Sequence, residues 1–233
     1  RKAAKPDIEA LCELPPSPSW PGGALLALGS GATERRERGW LLPLAGGCRL
    51  GEPVELSLAP LYDGLRAQLD DLNVEGAAVA GERLWLAQRG NGARGTNALV
   101  ELSLAATLAA IEHERSLASD ALSVTEYELG SAAGVPLGFS DLAPLPDGRL
   151  AYCAVAEEGE STYFDGDCVG AAFGTLTPGA RAAPAQWPLT QPHKVEGVAV
   201  TGVSGGEASL LFVVDRDDPS VPSPLLAGNV ELP

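Results

Sequence analysis

The sequence predicts an all-β fold made of one repeated small sheet, and three observations predict it. One phrase recurs: Asn73-Val74-Glu75-Gly76-Ala77-Ala78-Val79 returns as Lys194-Val195-Glu196-Gly197-Val198-Ala199-Val200. Looser copies are Pro6-Asp7-Ile8-Glu9-Ala10-Leu11 and Phe139-Ser140-Asp141-Leu142-Ala143-Pro144-Leu145. The acidic residues of the four phrases stand at 9, 75, 141 and 196, spacings of 66, 66 and 55. Each interval has room for a hairpin and one or two further strands. Long helical stretches between the strands are absent, which disfavours a parallel α/β sheet. Radial repetition of small antiparallel sheets is a β-propeller. The expectation is a single propeller domain over residues 1–233, with five blades in the complete protein, six as the alternative, and short helical insertions. It places part of one N-terminal blade before Arg1. A sandwich would not explain the recurring phrase.

The elements follow in order. Pro15, Pro16, Pro18, Pro21, Gly22 and Gly23 mark a loop after the first phrase. Ala24–Gly29 is a strand, Glu34–Arg38 an exposed charged loop, and Trp40–Leu44 and Val54–Leu58 are strands. Leu58, Leu61, Tyr62, Leu65 and Leu69 have helical spacing. Gly81-Glu82 turns the second phrase into its partner strand, Arg83–Ala87. Residues 98–102 form a strand, 104–117 a helix and 124–129 a strand. Pro146-Asp147-Gly148 is a hairpin turn, because Asp-Gly supplies the positive φ such turns need. Its return strand is Arg149–Ala156, followed by an acidic loop over 157–167. Val169–Leu176, Ala185–Leu189, Leu210–Asp215 and Leu225–Leu232 complete the strands.

Composition limits the function. The net charge is −15, which argues against nucleic acid, whose phosphates would be repelled. No apolar run reaches the roughly 18 residues of a membrane helix, so no membrane partner is expected. Cytoplasm and periplasm both stay open as locations. The four cysteines form no Cys-x-x-Cys pair and read as buried thiols rather than a zinc site. Gly202-Val203-Ser204-Gly205-Gly206 has the form of a nucleophile elbow but lies between two strands, where a hairpin turn is expected. Gly90–Gly95 has the spacing of a dinucleotide loop but is followed by a strand rather than a helix.

The acidic phrases carry the functional expectation. In an antiparallel hairpin the start of the first strand and the end of the second share one edge. That groups Glu9 with Ser30 and Gly31, and Glu75 with Arg89 and Asn91. It groups Asp141 with Glu157 and Glu158, and Glu196 with Asp215, Asp217 and Asp218. Gathered carboxylates repel one another and persist most easily beside a cation. Glu9, Glu75, Asp141 and Glu196 are the expected metal ligands, and oxygen ligands without clustered His or Cys favour Ca2+. Arg89, Asn91, Glu157, Lys194 and Asp215 are the expected ligand-binding residues. The partner is a small polar or anionic molecule. A hydrolytic version would use a metal-bound water with one carboxylate as base. The alternative is a non-enzymatic binding or scaffold protein. Its carboxylates are structural, and a protein partner meets the loops at 34–38 and 157–167.

The four phrases, together with Asp215-Arg216-Asp217-Asp218-Pro219, resemble an uncharacterised family of bacterial propeller proteins. More distantly, the Glu-Gly strands are similar to the SdiA-regulated, esterase-like phytase and gluconolactonase propellers. That resemblance implies a divalent cation at a funnel mouth and, in some relatives, lactone, ester or phosphate-ester hydrolysis. It transfers to Glu9, Glu75, Asp141 and Glu196 as the matched positions and names no catalytic residue.

Overall fold

The computed structural model describes residues 6–45, 49–90, 95–117, 123–158, 166–180, 184–218 and 220–233. The chain is all-β apart from short helices, in four small antiparallel sheets of the kind a β-propeller repeats. It divides into two compact units. One is Arg1–Gln88 with Val100–Val124, the other Arg89–Leu99 with Thr125–Pro233.

In the first unit, β1 (Ile8–Leu14), β2 (Ala24–Gly29), β3 (Arg38–Ala45), β4 (Arg49–Leu50) and β5 (Val54–Ser57) form one sheet. Along β1, Ala10, Cys12 and Leu14 are buried while Leu11 and Glu13 face water, the period of two that a half-covered strand dictates. The helix α1 (Ala59–Arg66) starts with Pro60 in its first turn and buries Leu61, Tyr62 and Leu65. The Tyr62 hydroxyl donates to the Gly29 carbonyl at 2.5 Å. Gly31 makes that packing feasible. Its φ is +74, and a Cβ there would stand 2.6 Å from the Tyr62 ring.

The second sheet has the order β6 (Val74–Ala80), β7 (Arg83–Gln88), β8 (Asn97–Ser103) and β9 (Ser123–Tyr127). The helix α2 (Leu104–Glu114) begins where the Ser103 hydroxyl accepts the Ala106 amide and ends at Arg115 in a left-handed conformation.

The second unit contains a small hairpin, β10 (Ser131–Ala132) with β11 (Val135–Pro136), which the sequence did not suggest. The third sheet is β12 (Gly138–Pro144), β13 (Leu150–Glu157), β14 (Cys168–Leu176) and β15 (Ala185–Pro188). The fourth is β16 (Lys194–Ser204), β17 (Glu207–Asp215) and β18 (Leu225–Glu231). Cys153, Val155 and Phe173 of the third sheet pack with Val195, Val198 and Phe212 of the fourth. The Phe173 and Phe212 rings meet edge to face at 6.0 Å.

The first strand of each of these four sheets carries the recurring phrase, and every one is bulged at the same point. The register slips between Ile8 and Ala10, Val74 and Gly76, Phe139 and Asp141, and Val195 and Gly197. The extra residues are therefore Glu9, Glu75, Ser140 and Glu196. A bulge frees one residue from the ladder and re-aims its side chain. The register thus corrects the alignment of the phrases: Ser140, not Asp141, is the counterpart of the three glutamates. Matching acid to acid in the sequence shifts the third phrase by one residue.

A second difference concerns Glu34–Arg38. This run is not a simple exposed loop. Glu34–Arg36 is a turn of 3-10 helix and Arg38 already belongs to β3. Arg36 pairs with Asp7, and Glu37 pairs with Arg66 at 2.6 Å, both contacts largely shielded from water. The Gly-x-Ser-x-Gly segment is the end of β16 and its tight turn into β17, as expected.

Asn97 offers a direct test of the fold of the second unit. It is buried, its Oδ1 accepts the amides of Gly90 (3.0 Å) and Phe139 (3.1 Å), and its Nδ2 donates to the Leu137 carbonyl (2.8 Å). Asn97→Ala strands all three backbone groups and should cost about 3 kcal/mol or more in urea unfolding. Asn97→Asp keeps both acceptances and should cost less.

Candidate functional site

The candidate site lies in the second unit, at the edge shared by the starts of β12, β14 and β16 and the ends of β13 and β17. Antiparallel pairing puts these ends together: Gly138 faces Val155, Glu157 faces Cys168, and Lys194 faces Asp215. Glu157, the last residue of β13, takes Arg89 Nη2 on its Oε2 in a short ion pair. Its Oε1 lies 3.1 Å from Lys194 Nζ. Lys194 Nζ stands 3.7 Å from Glu196 Oε1 and 3.2 and 3.3 Å from the two carboxylate oxygens of Asp217. One ammonium thus faces three carboxylates carried by three different elements.

These side chains are largely withdrawn from water: relative exposure is 10% for Arg89, 11% for Lys194 and 13% for Glu157. Charges so placed depend on one another, because solvent no longer screens or solvates them fully. The Arg89 stem lies along β12 at Gly138, where a Cβ would stand 2.8 Å from Arg89 Cγ. Glycine at 138 leaves room for the guanidinium stem, which any side chain there would have to displace. The sequence reading did not single it out, although glycine at a strand start is the signal for such a close approach.

The sequence-expected residues divide as follows. Arg89, Glu157, Lys194 and Glu196 come together, joined by Asp217. Asp141 is adjacent in role: its Oδ2 accepts the Val198 amide at 2.8 Å and so ties β12 to β16. Asp215 is exposed and its Oδ1 accepts the Asp217 amide, shaping the loop that presents Asp217. Asn91 lies outside the described residues. In the first unit Glu75 is 7% exposed and accepts from Asn73 Nδ2 at 2.6 Å. Half-buried Glu9 sits at the β1 bulge, and the Ser30 hydroxyl donates to Asp7 at 2.9 Å. Ser140 was missed. It is 1% exposed, and its hydroxyl makes no hydrogen bond among the described residues. Among the described residues, no group of three or more His, Cys, Asp or Glu side chains is placed to hold a metal ion as it stands.

A family of unknown function, DUF6910, matches residues 1–219. The chain belongs to that family. No curated protein matches it. The family match contains every residue of the cluster, while β18 of this DUF6910 chain lies beyond the matched span. Among the described residues no helix is long and apolar enough to cross a membrane.

Two thiols border the cluster of this DUF6910 protein. Cys153, the register partner of Asp141, is fully buried. Burial pushes its pKa well above the ordinary 9.0, and the nearby Asp141 and Glu196 carboxylates add to the rise. Cys168 is half-buried and donates to the Gly170 carbonyl at 3.5 Å. Its pKa is raised chiefly by burial; that hydrogen bond opposes the rise, Glu157 and Glu196 add to it, and Lys194 opposes it. Both are poor nucleophiles at neutral pH, because the thiolate is the reactive form.

Three outcomes follow. Glu157→Gln removes the charge that Arg89 and Lys194 share and should destabilise the protein by about 3 kcal/mol in chemical denaturation. Cys153 should resist a disulfide-exchange reagent until the protein unfolds. The folded Cys153 titrates above the unfolded thiol, so the folded state keeps a proton that the unfolded state releases. Its contribution to stability should therefore be intact below about pH 9 and fall as the pH rises further, which thermal melts across pH 7–10 would show.

Proposed function

We propose that this protein binds a small anionic or polar ligand at the cluster of Arg89, Glu157, Lys194, Glu196 and Asp217, as a propeller-type binding protein of five blades, with six as the alternative. One observation carries the reading. Two cationic side chains, both about nine-tenths buried, converge on the single Glu157 carboxylate. A ligand carboxylate or phosphate can take the place that Glu157 oxygens hold between a guanidinium and an ammonium. Guanidinium recognises such groups in bidentate fashion, and the ammonium adds a compact charge. Glu196 and Asp217 then select against ligands with bulk negative charge beyond that group.

A purely structural role for the carboxylates is the second reading, and the Asp141–Val198 bond favours it, since that carboxylate is spent on joining two strands. A Ca2+ site on Glu9, Glu75, Asp141 and Glu196, and metal-dependent lactone, ester or phosphate-ester hydrolysis, are also proposals. Ca2+-dependent turnover in a substrate screen would bear on them.

The anion reading is tested by calorimetry with inorganic phosphate and with citrate. Wild type should bind at least one of them. Arg89→Ala and Lys194→Ala should each weaken binding by about tenfold or more, which is about 1.4 kcal/mol. Absence of heat from wild type with both anions, or equal affinity in all three proteins, would sink the reading.

A further inference from the structure

We propose that the outer edge of β18 takes an extended, basic segment of another protein as an added strand of the fourth sheet. The occupant carries alternating apolar side chains, with a lysine or arginine at the end that lies beside Glu207 and Glu231.

The first argument is the edge itself. The fourth sheet has the order β16-β17-β18, whereas the second and third sheets each have a further strand outside their third. Among the described residues no strand pairs with the outer side of β18. An open edge is a template for another chain, and natural sheets blunt it with short strands, proline, charge or bulges. The outer strands of the second and third sheets follow that rule. β9 has five residues and carries Glu126, while β15 has four and ends in Pro188. β18 lacks such guards. It runs for seven residues without a proline, its one charge is Glu231 at the end, and its register with β17 is unbroken.

The second argument is the face beside that edge. Side chains alternate along a strand, so the register sorts β17 and β18 into two faces. Leu210 and Phe212 of β17 and Leu226 of β18 belong to the core shared with the third sheet. The opposite face pairs Val213 with Leu225 and Leu211 with Ala227 at one end, and Glu207 with Glu231 at the other. Leu225 is 65% exposed and Val213 53%. The face is thus apolar at one end and acidic at the other. It suits a strand that brings apolar side chains to the first and a cation to the second.

The third argument is charge. Glu207 and Glu231 stand directly opposite each other, both are exposed, and neither forms an ion pair among the described residues. Like charges opposed across a strand pair are destabilising, and a partner's cation relieves them. Charge also disfavours a second copy as the occupant, since chains of net charge −15 repel one another. In strand addition the main chain supplies affinity and alternate side chains supply specificity. No residue of the Arg89 cluster takes part, so the inference stands apart from the anion site.

The probe is a peptide as long as β18, alternating valine and threonine between two terminal lysines, titrated by calorimetry into the full chain. Wild type should bind it at least about tenfold more tightly than the same peptide with terminal glutamates. Glu207→Lys with Glu231→Lys should reverse that preference. Val213→Ser with Leu225→Ser, both at exposed positions, should weaken binding by about tenfold. Near-ultraviolet circular dichroism confirms that each variant is folded. A peptide with proline in place of threonine cannot complete the ladder and should not bind. Hydrogen exchange followed by mass spectrometry should slow over residues 225–231 when the lysine peptide is bound. Absence of binding to wild type, equal affinity for the lysine and glutamate peptides, or a preference that survives the charge reversal overturns the proposal. So does a wild-type dimer in light scattering that Val213→Ser with Leu225→Ser makes monomeric, since the edge then serves a second copy.

Discussion

A bulge at the head of the first strand of each of the four sheets is the constraint on which the rest depends. A strand whose ladder ran without interruption would send its second residue to the face opposite its neighbours and keep it in register. The bulge breaks that rule at Glu9, Glu75, Ser140 and Glu196. It lets a polar side chain stand at the sheet edge while the residues after it fall back into the period that fills the core. In the fourth sheet the result is immediate. Glu196 joins the Lys194 group while Val195 and Val198 remain buried.

The site therefore combines two kinds of support. The strands fix positions: the last residue of β13 and the first of β16 cannot move far without breaking ladder bonds. The side chains balance charge: Glu157 answers both Arg89 and Lys194, and Lys194 answers three carboxylates. An arrangement of this kind is costly to leave half-made, since removing one charge leaves its partners poorly solvated.

Much of the fold was legible in the sequence, for physical reasons. Asp147-Gly148 and the Gly205-Gly206 pair turn where positive φ is required, and the strands on either side follow. The helix over 59–66 shows its buried face in the spacing of Leu61, Tyr62 and Leu65. The site was legible in part. Arg89, Glu157, Lys194 and Glu196 were all placed at strand ends by hairpin geometry alone. What escaped was register. A bulge shifts pairing by one residue without changing composition, so Asp141 stood in for Ser140, and its carboxylate proved to be a tie between strands. Charge pairing within Glu34–Arg38 escaped for a related reason: a run of charges reads as solvated until the structure brings Asp7 and Arg66 to it.

Gly138 carries a consequence for how this family can vary. The guanidinium stem of Arg89 occupies the space that any side chain at 138 would fill. The two positions are therefore bound together by volume, although neither pairs chemically with the other. A lineage that gains even a methyl group at 138 must shift the Arg89 stem, and with it one of the two charges that hold Glu157. A side chain at 138 therefore acts on Glu157 at one remove, through where it leaves the guanidinium.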